Sequence, residues 1–184
     1  MTATLAPAPL PLATADRYAS QIVEWLGPYV GAVAIAGSIR RRRPVCGDVD
    51  LVIIPKIQEV ADLTGAVIER RNLTAEFLHE YVASGRGELL AGKRESPDLL
   101  LIRLPKCQLD VFFADDKNWG TRLLCRTGSK EHNIWLCQKA YARGLHWHPY
   151  RGVKDGLRWL PAASEQDVFD QLGLGFIPPE RRER

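Results

Sequence analysis

Two aspartates one residue apart, Asp48 and Asp50, open the apolar run DVDLVIIP, and a third, Asp110, interrupts the apolar run CQLDVFFA. On a strand, residues i and i+2 share a face, so Asp48 and Asp50 project together while Val49 turns away. Like charges that close repel, and one carboxylate of an uncompensated pair takes up a proton. A divalent cation removes that conflict, because Mg²⁺ takes oxygen ligands and bridges carboxylates to substrate phosphates. If the strands carrying Asp50 and Asp110 are neighbours, the three carboxylates can hold two ions about 3.5–4 Å apart. That arrangement suits phosphoryl transfer.

Upstream stands GSIRRRRP, Gly37 to Pro44. Glycine lets a backbone approach a phosphate closely, and the Ser38 hydroxyl and amide can donate to it. Arg41 adds a bidentate, charge-assisted contact. At least one arginine of the run is therefore expected to face a triphosphate, with the others turned to solvent or nucleic acid.

The elements that must position these groups follow from periodicity. DRYASQIVEWL (16–26) spaces Tyr18, Ile22, Val23 and Leu26 as a helix, which Gly27-Pro28 ends. AVAIAG (32–37) and DVDLVIIP (48–55) predict strands. Helices are expected at 58–70 and 73–83, and strands at 88–93, 99–104 and 107–114. KEHNIWLCQKAYAR (130–143) predicts a basic helix with Ile134, Cys137 and Tyr141 as its apolar stripe and Gly144 at its stop. SEQDVFDQLG (164–173) predicts a last helix capped by Ser164. The order implies an α+β domain: a mixed β-sheet with helices on one face, followed by a small, mainly helical unit.

The 184 residues, 46% hydrophobic and 26% charged, fit an ordinary globular chain of one core domain with an appendage. No apolar run reaches the roughly 18 residues a membrane span needs. The Pro/Ala-rich start lacks a basic n-region and reads as a flexible tail over 1–14, not a signal peptide. The four cysteines form no CxxC pair and are expected to be free thiols in a reducing, intracellular compartment. His146 and His148 lack further ligands at metal spacing and read as structural or surface residues. Net charge is +3 but uneven: residues 121–158 hold 8 basic against 2 acidic side chains. Such a patch fits a polyanion partner.

With the glycine-serine turn, the arginine and the Asp-x-Asp in place, the sequence resembles the nucleotidyltransferase superfamily. RTGSKEHNIWLCQKAYARGLHWHPYRGV (126–153) and SEQDVFDQLGLGFIPPERRE narrow the resemblance to the thumb of family X DNA polymerases, the polymerase beta group. The likeness runs over roughly 15–184 and implies a palm at 15–120 and a thumb at 121–184. It implies that Asp48, Asp50 and Asp110 bind two Mg²⁺ ions, with Mn²⁺ able to substitute. It assigns Gly37, Ser38 and Arg41 to the β- and γ-phosphates and Gly47 to the turn before the carboxylates. Thr127-Gly128 matches the segment against the incoming sugar, and Asn133 the residue reaching the base edge.

Two departures from the family pattern matter. Cys125 and Arg126 stand where the family commonly has an aromatic pair lining the sugar, so weak discrimination between deoxy- and ribonucleotides is expected. From the short stretch before the first helix, no DNA-binding, lyase or exonuclease domain is expected, and DNA affinity is expected to rest on Arg42, Arg43, Arg122, Arg126, Lys130, Lys139 and Arg143. The expected activity is template-directed addition of nucleotides to a primer 3′-hydroxyl at short gaps or bridged ends by a monomer, associated with the nucleoid or nucleus through DNA. Template-independent nucleotide transfer to nucleic-acid ends is the alternative within enzymes. A non-catalytic nucleic-acid-binding module is the alternative outside them.

Overall fold

The computed structural model describes residues 8–92 and 98–183. In chain order the elements begin with strand β1 (Leu10–Pro11), helix α1 (Leu12–Leu26), β2 (Val30–Ile35) and the one-turn helix α2 (Gly37–Arg40). Then come β3 (Val45–Cys46), β4 (Val49–Pro55), β5 (Ile57–Ala61), β6 (Val67–Asn72) and α3 (Leu73–Ala83). β7 (Glu88–Ala91), β8 (Leu99–Arg103), β9 (Gln108–Phe113), α4 (Trp119–Thr127) and α5 (Lys130–Ala142) follow. The chain closes with β10 (His146–His148), β11 (Gly152–Asp155), β12 (Arg158–Trp159) and α6 (Glu165–Gln171).

Alternation along the strands sets the architecture. Val49, Leu51 and Ile53 of β4 stand opposite Leu109, Val111 and Phe113 of the parallel strand β9, and all six are buried. Leu100 and Ile102 of β8 join the same face, and α1 and α3 cover it through Ile22, Leu26 and Leu78. The sheet order is β2-β4-β9-β8-β7, with β4–β9 its parallel pair and the other pairings antiparallel. The mixed α+β class expected from sequence is therefore the class found.

The even positions of β4 and β9 point the other way. There α4 packs Leu123 and Trp119 near Ala36, Val52 and Phe112, so α1 and α3 share one face and α4, where the expected thumb begins, covers the other. The sequence reading assigned no helix at 119–127, because Gly120 and two threonines weaken the helical signal. Gly120 is required by contact: a Cβ there would stand 2.0 Å from the carbonyl oxygen of Ser164. A second core behind α4 gathers Leu124, Leu136, Ala140, Val153, Val168 and Phe169. It lies between α4, α5, α6 and the small sheet β10-β11-β12.

Three expectations change. The helix expected at 58–70 is the hairpin β5–β6, with Glu59 opposite Arg70 and the pair 2.9 Å apart. Asp62 Oδ1 accepts hydrogen bonds from Thr64 N, Thr64 Oγ1 and Ala66 N, a side-chain-driven turn that stops helix propagation. The flexible tail expected at 1–14 fails over 10–14, because Leu10–Pro11 pairs with Val45–Cys46 and α1 starts at Leu12; residues 1–7 lie outside the described part. On α5 the buried line is His132, Leu136 and Ala140. The expected stripe faces outward instead, with Ile134 48% and Tyr141 79% exposed and Cys137 also exposed. The four cysteines are free, Ser164 caps α6 within a capping box, and Gly144 has the positive φ of a helix stop.

Candidate active site

Asp50 and Asp110 are register partners on β4 and β9, so their side chains leave the sheet side by side. Asp48 sits in the bend just before β4. Ligand oxygens from all three lie within 4.8 Å of one another, a spacing that a metal ion can span. Burial first, and then the charges of Asp48 and Asp110, push the Asp50 carboxyl well above the usual carboxylate range; Arg126 and Arg41 offset part of this. Burial also raises Asp110, against a hydrogen bond donated by Gln108 Nε2 at 2.8 Å. Three crowded carboxylates, with Asp50 and Asp110 raised in proton affinity, are what a cation site looks like before its charge is supplied.

The glycine-serine turn meets the carboxylates directly. Gly37 has φ +57, and a Cβ there would lie 1.8 Å from Asp50 Oδ2, so the turn and the carboxylate can share this space only with glycine. Ser38 Oγ is buried and has no partner among the described residues, a free donor at the rim. Gly47 forms the bend before Asp48, but a Cβ there meets nothing within 4 Å; the turn itself does not demand glycine. A cavity of about 500 Å³ joins these groups, walled by Gly37, Ser38, Arg41, Asp48 and Asp50 on one side. Gly128, Lys130, Asn133 and Trp147 wall the other.

The arginine run divides by depth. Arg40 turns inward and grips Glu165 with two 2.7 Å bonds while donating to Thr127 Oγ1 at 2.6 Å. Arg41 donates to the Thr127 carbonyl and to Glu183 Oε1, the latter at 2.6 Å. Arg42 and Arg43 stay largely in solvent, near Asp16 and Glu183. The expectation that the arginines not facing a triphosphate turn to solvent or nucleic acid thus fails for Arg40, because α6 places a buried carboxylate against it.

On the thumb side, Thr127 is fully buried and its carbonyl and hydroxyl are both taken by arginines. Gly128 and Asn133 line the cavity, and Asn133 Nδ2 donates to the Cys125 carbonyl at 2.8 Å. Among the expected DNA contacts, Lys130, Lys139 and Arg143 are exposed. Arg122 is not available: it is 5% exposed, bonds Asp98 at 3.0 Å and stacks 4.3 Å from the centre of the Tyr150 ring. Arg126 lies 3.9 Å over Phe112 and faces the carboxylate cavity rather than the outer surface. Sequence reasoning missed Gln108, Glu165, Arg182 and Glu183, polar residues that meet their partners only across the fold.

A model of the DNA polymerase beta thumb matches residues 122–183. The chain is 29% identical over 182 residues to the DNA polymerase/3′-5′ exonuclease PolX of Bacillus subtilis (strain 168). Leishmania infantum polymerase beta, solved as a ternary P/T complex, superposes with a TM-score of 0.71 at 23% identity. The chain is family X polymerase-like. The polymerase beta likeness covers 96% of this chain and 77% of the Leishmania chain, and it establishes the fold. The PolX likeness covers 96% of this chain but only 29% of the Bacillus protein's length. No helix among the described residues is long and apolar enough to cross a membrane.

Proposed function

We propose that the chain is a template-directed DNA polymerase that adds nucleotides to a primer 3′-hydroxyl at short gaps or bridged ends. The observation that carries this reading is the carboxylate triad, with oxygens within 4.8 Å of one another, two of whose members, Asp48 and Asp50, line the same cavity as the glycine-serine turn. Asp48, Asp50 and Asp110 fit two Mg²⁺ ions, whose positive charge would relieve their mutual repulsion. When bound, such ions supply activation of the attacking hydroxyl and neutralisation of the phosphoryl charge.

The remaining roles fall to the protein's own groups. Ser38 Oγ and Arg41 hold the β- and γ-phosphates, Gly37 leaves space for them, and Asn133 with Gly128 holds the nucleoside, Thr127 serving behind them as the acceptor for Arg40 and Arg41. Lys130, Lys139, Arg143, Arg42 and Arg43 contact the DNA backbone. Residues 15–120 act as the palm and 121–184 as the thumb.

The test is insertion of each labelled deoxynucleotide on a one-nucleotide-gapped duplex and on single strands with Mg²⁺, beside Asp110→Ala. Insertion that matches the template base and disappears in the variant supports the reading. Equal extension of single strands points to template-independent transfer. No insertion with either Mg²⁺ or Mn²⁺ leaves a nucleic-acid-binding module.

A further inference from the structure

Arg41 is held from behind by a residue of the C-terminal segment. A guanidinium carries five N–H donors in one plane. Arg41 spends Nε on Glu183 Oε1 at 2.6 Å and one Nη1 hydrogen on the Thr127 carbonyl. Its Nη2 edge takes no acceptor among the described residues. The side chain is only 15% exposed, so it is anchored at one edge and presented at the other.

Glu183 is itself fixed by its neighbour. Arg182 is fully buried, donates Nη1 to Glu165 at 2.6 Å and Nε to the Ile177 carbonyl at 2.8 Å. Its carbonyl accepts from Ser129 Oγ at 2.8 Å. The carboxylate behind Arg41 therefore stands on a segment tied into both α6 and the start of α5.

We infer that Glu183 is a positioning residue for the phosphate site: it orients the Arg41 guanidinium so that its Nη2 edge meets a polyphosphate. This rests on reading the cavity as a triphosphate site. A long arginine side chain loses much rotamer freedom when it binds, and a partner that orders it beforehand lowers the cost of binding. A carboxylate near a phosphate site also repels the anion, so the two effects oppose each other. They are separable, because Glu183→Gln keeps an oxygen acceptor for Nε and removes the charge, whereas Glu183→Ala removes both.

The experiment is calorimetric titration of the intact chain with inorganic tripolyphosphate in the absence of divalent metal, followed by steady-state insertion kinetics. Glu183→Ala is expected to weaken tripolyphosphate binding about five- to tenfold, the scale of one typical net hydrogen bond. It should raise KM for the nucleotide by a similar factor while kcat changes far less. Glu183→Gln is expected to recover most of the affinity, and thermal melting reports whether either variant is folded. Tighter binding in both variants makes Glu183 a competitor for Arg41 and overturns the inference, as does equal binding by wild type and Glu183→Ala. A wild-type chain that binds no tripolyphosphate overturns the phosphate-site reading itself, and this inference with it.

Discussion

Asp50 and Asp110 face each other across the parallel pair β4–β9, one register step from the fully buried pair Leu51 and Val111. The sheet that makes the core therefore also forces two carboxylates together, with Asp48 alongside. Without a cation this is a stability defect. Asp110→Asn keeps the size of the side chain and removes one of the repelling charges. The metal-free variant should be more stable than wild type by about 1 kcal/mol. It should also lose the rise in melting temperature that Mg²⁺ or Mn²⁺ gives wild type. Melting curves with and without metal check both points.

Gly37→Ala should fold and fail to catalyse. The added Cβ meets Asp50 Oδ2 at 1.8 Å, and φ +57 strains any L side chain. Asp50 must move, and displacement of a catalytic group by about 1 Å costs on the order of a hundredfold in rate. Circular dichroism should be close to wild type while insertion drops by that order.

Glu165 sets an acid limit on stability. Burial alone would raise its carboxyl, but hydrogen bonds from Arg40 and Arg182 outweigh that and hold it below its ordinary value of 4.5. A carboxyl depressed in the folded state contributes stability that is present above its unfolded pKa and is lost as pH falls through the folded one. Stability should therefore fall as pH drops below 4.5. Glu165→Gln should remove that part of the slope. At neutral pH the variant should lose about 3–5 kcal/mol, because the fully buried Arg182 is left without its counter-charge. Denaturant titrations at several pH values measure both effects.

DNA binding should be steeply salt-dependent. Five of the proposed backbone contacts, Arg42, Arg43, Lys130, Lys139 and Arg143, are exposed. Each phosphate neutralised adds about −0.9 to the slope of log affinity against log salt. Anisotropy titrations on a gapped duplex should show the slope become shallower by about one unit for Lys139→Ala. Arg122→Ala should instead destabilise the fold without reducing the slope, since its guanidinium is spent on Asp98 and Tyr150. A flat salt response in the wild type would rule out this account of binding.

Sugar discrimination should be weak. Arg126 lies against Phe112 and beside the cavity, where the family commonly has aromatic rings, and its guanidinium is a flat polar donor. Comparable insertion efficiencies for deoxy- and ribonucleotides are expected. A preference for deoxynucleotides of about a thousandfold, or roughly 4 kcal/mol, would sink the idea.

The sequence displayed most of this fold because period and punctuation agreed. β4 and β9 announce themselves by their apolar runs, α6 by Ser164, and the site by aspartates at positions where an apolar residue would fit the pattern. The hairpin β5–β6 was hidden because Asp62 makes its turn through side-chain bonds that composition does not display. α5 misled because its outward line, Ile134, Cys137 and Tyr141, is as apolar as its buried one, and part of it walls the cavity. The Arg40–Glu165–Arg182 cluster and the Arg41–Glu183 pair join residues from opposite ends of the chain. Each looked like surface charge until the fold brought its partner.

The parallel pairing of β4 with β9 gives the candidate site a clock. Parallel strands need a long crossover, and such distant pairings form slowly. Here the crossover contains the hairpin β5–β6, α3, β7 and β8. Until that pairing closes, Asp110 is far from Asp50 and the chain has no three-carboxylate site. During refolding, uptake of a divalent ion would therefore mark the moment the central sheet locks. Ion binding becomes a gauge of long-range pairing in a way that helix content, whose hydrogen bonds are local, is not.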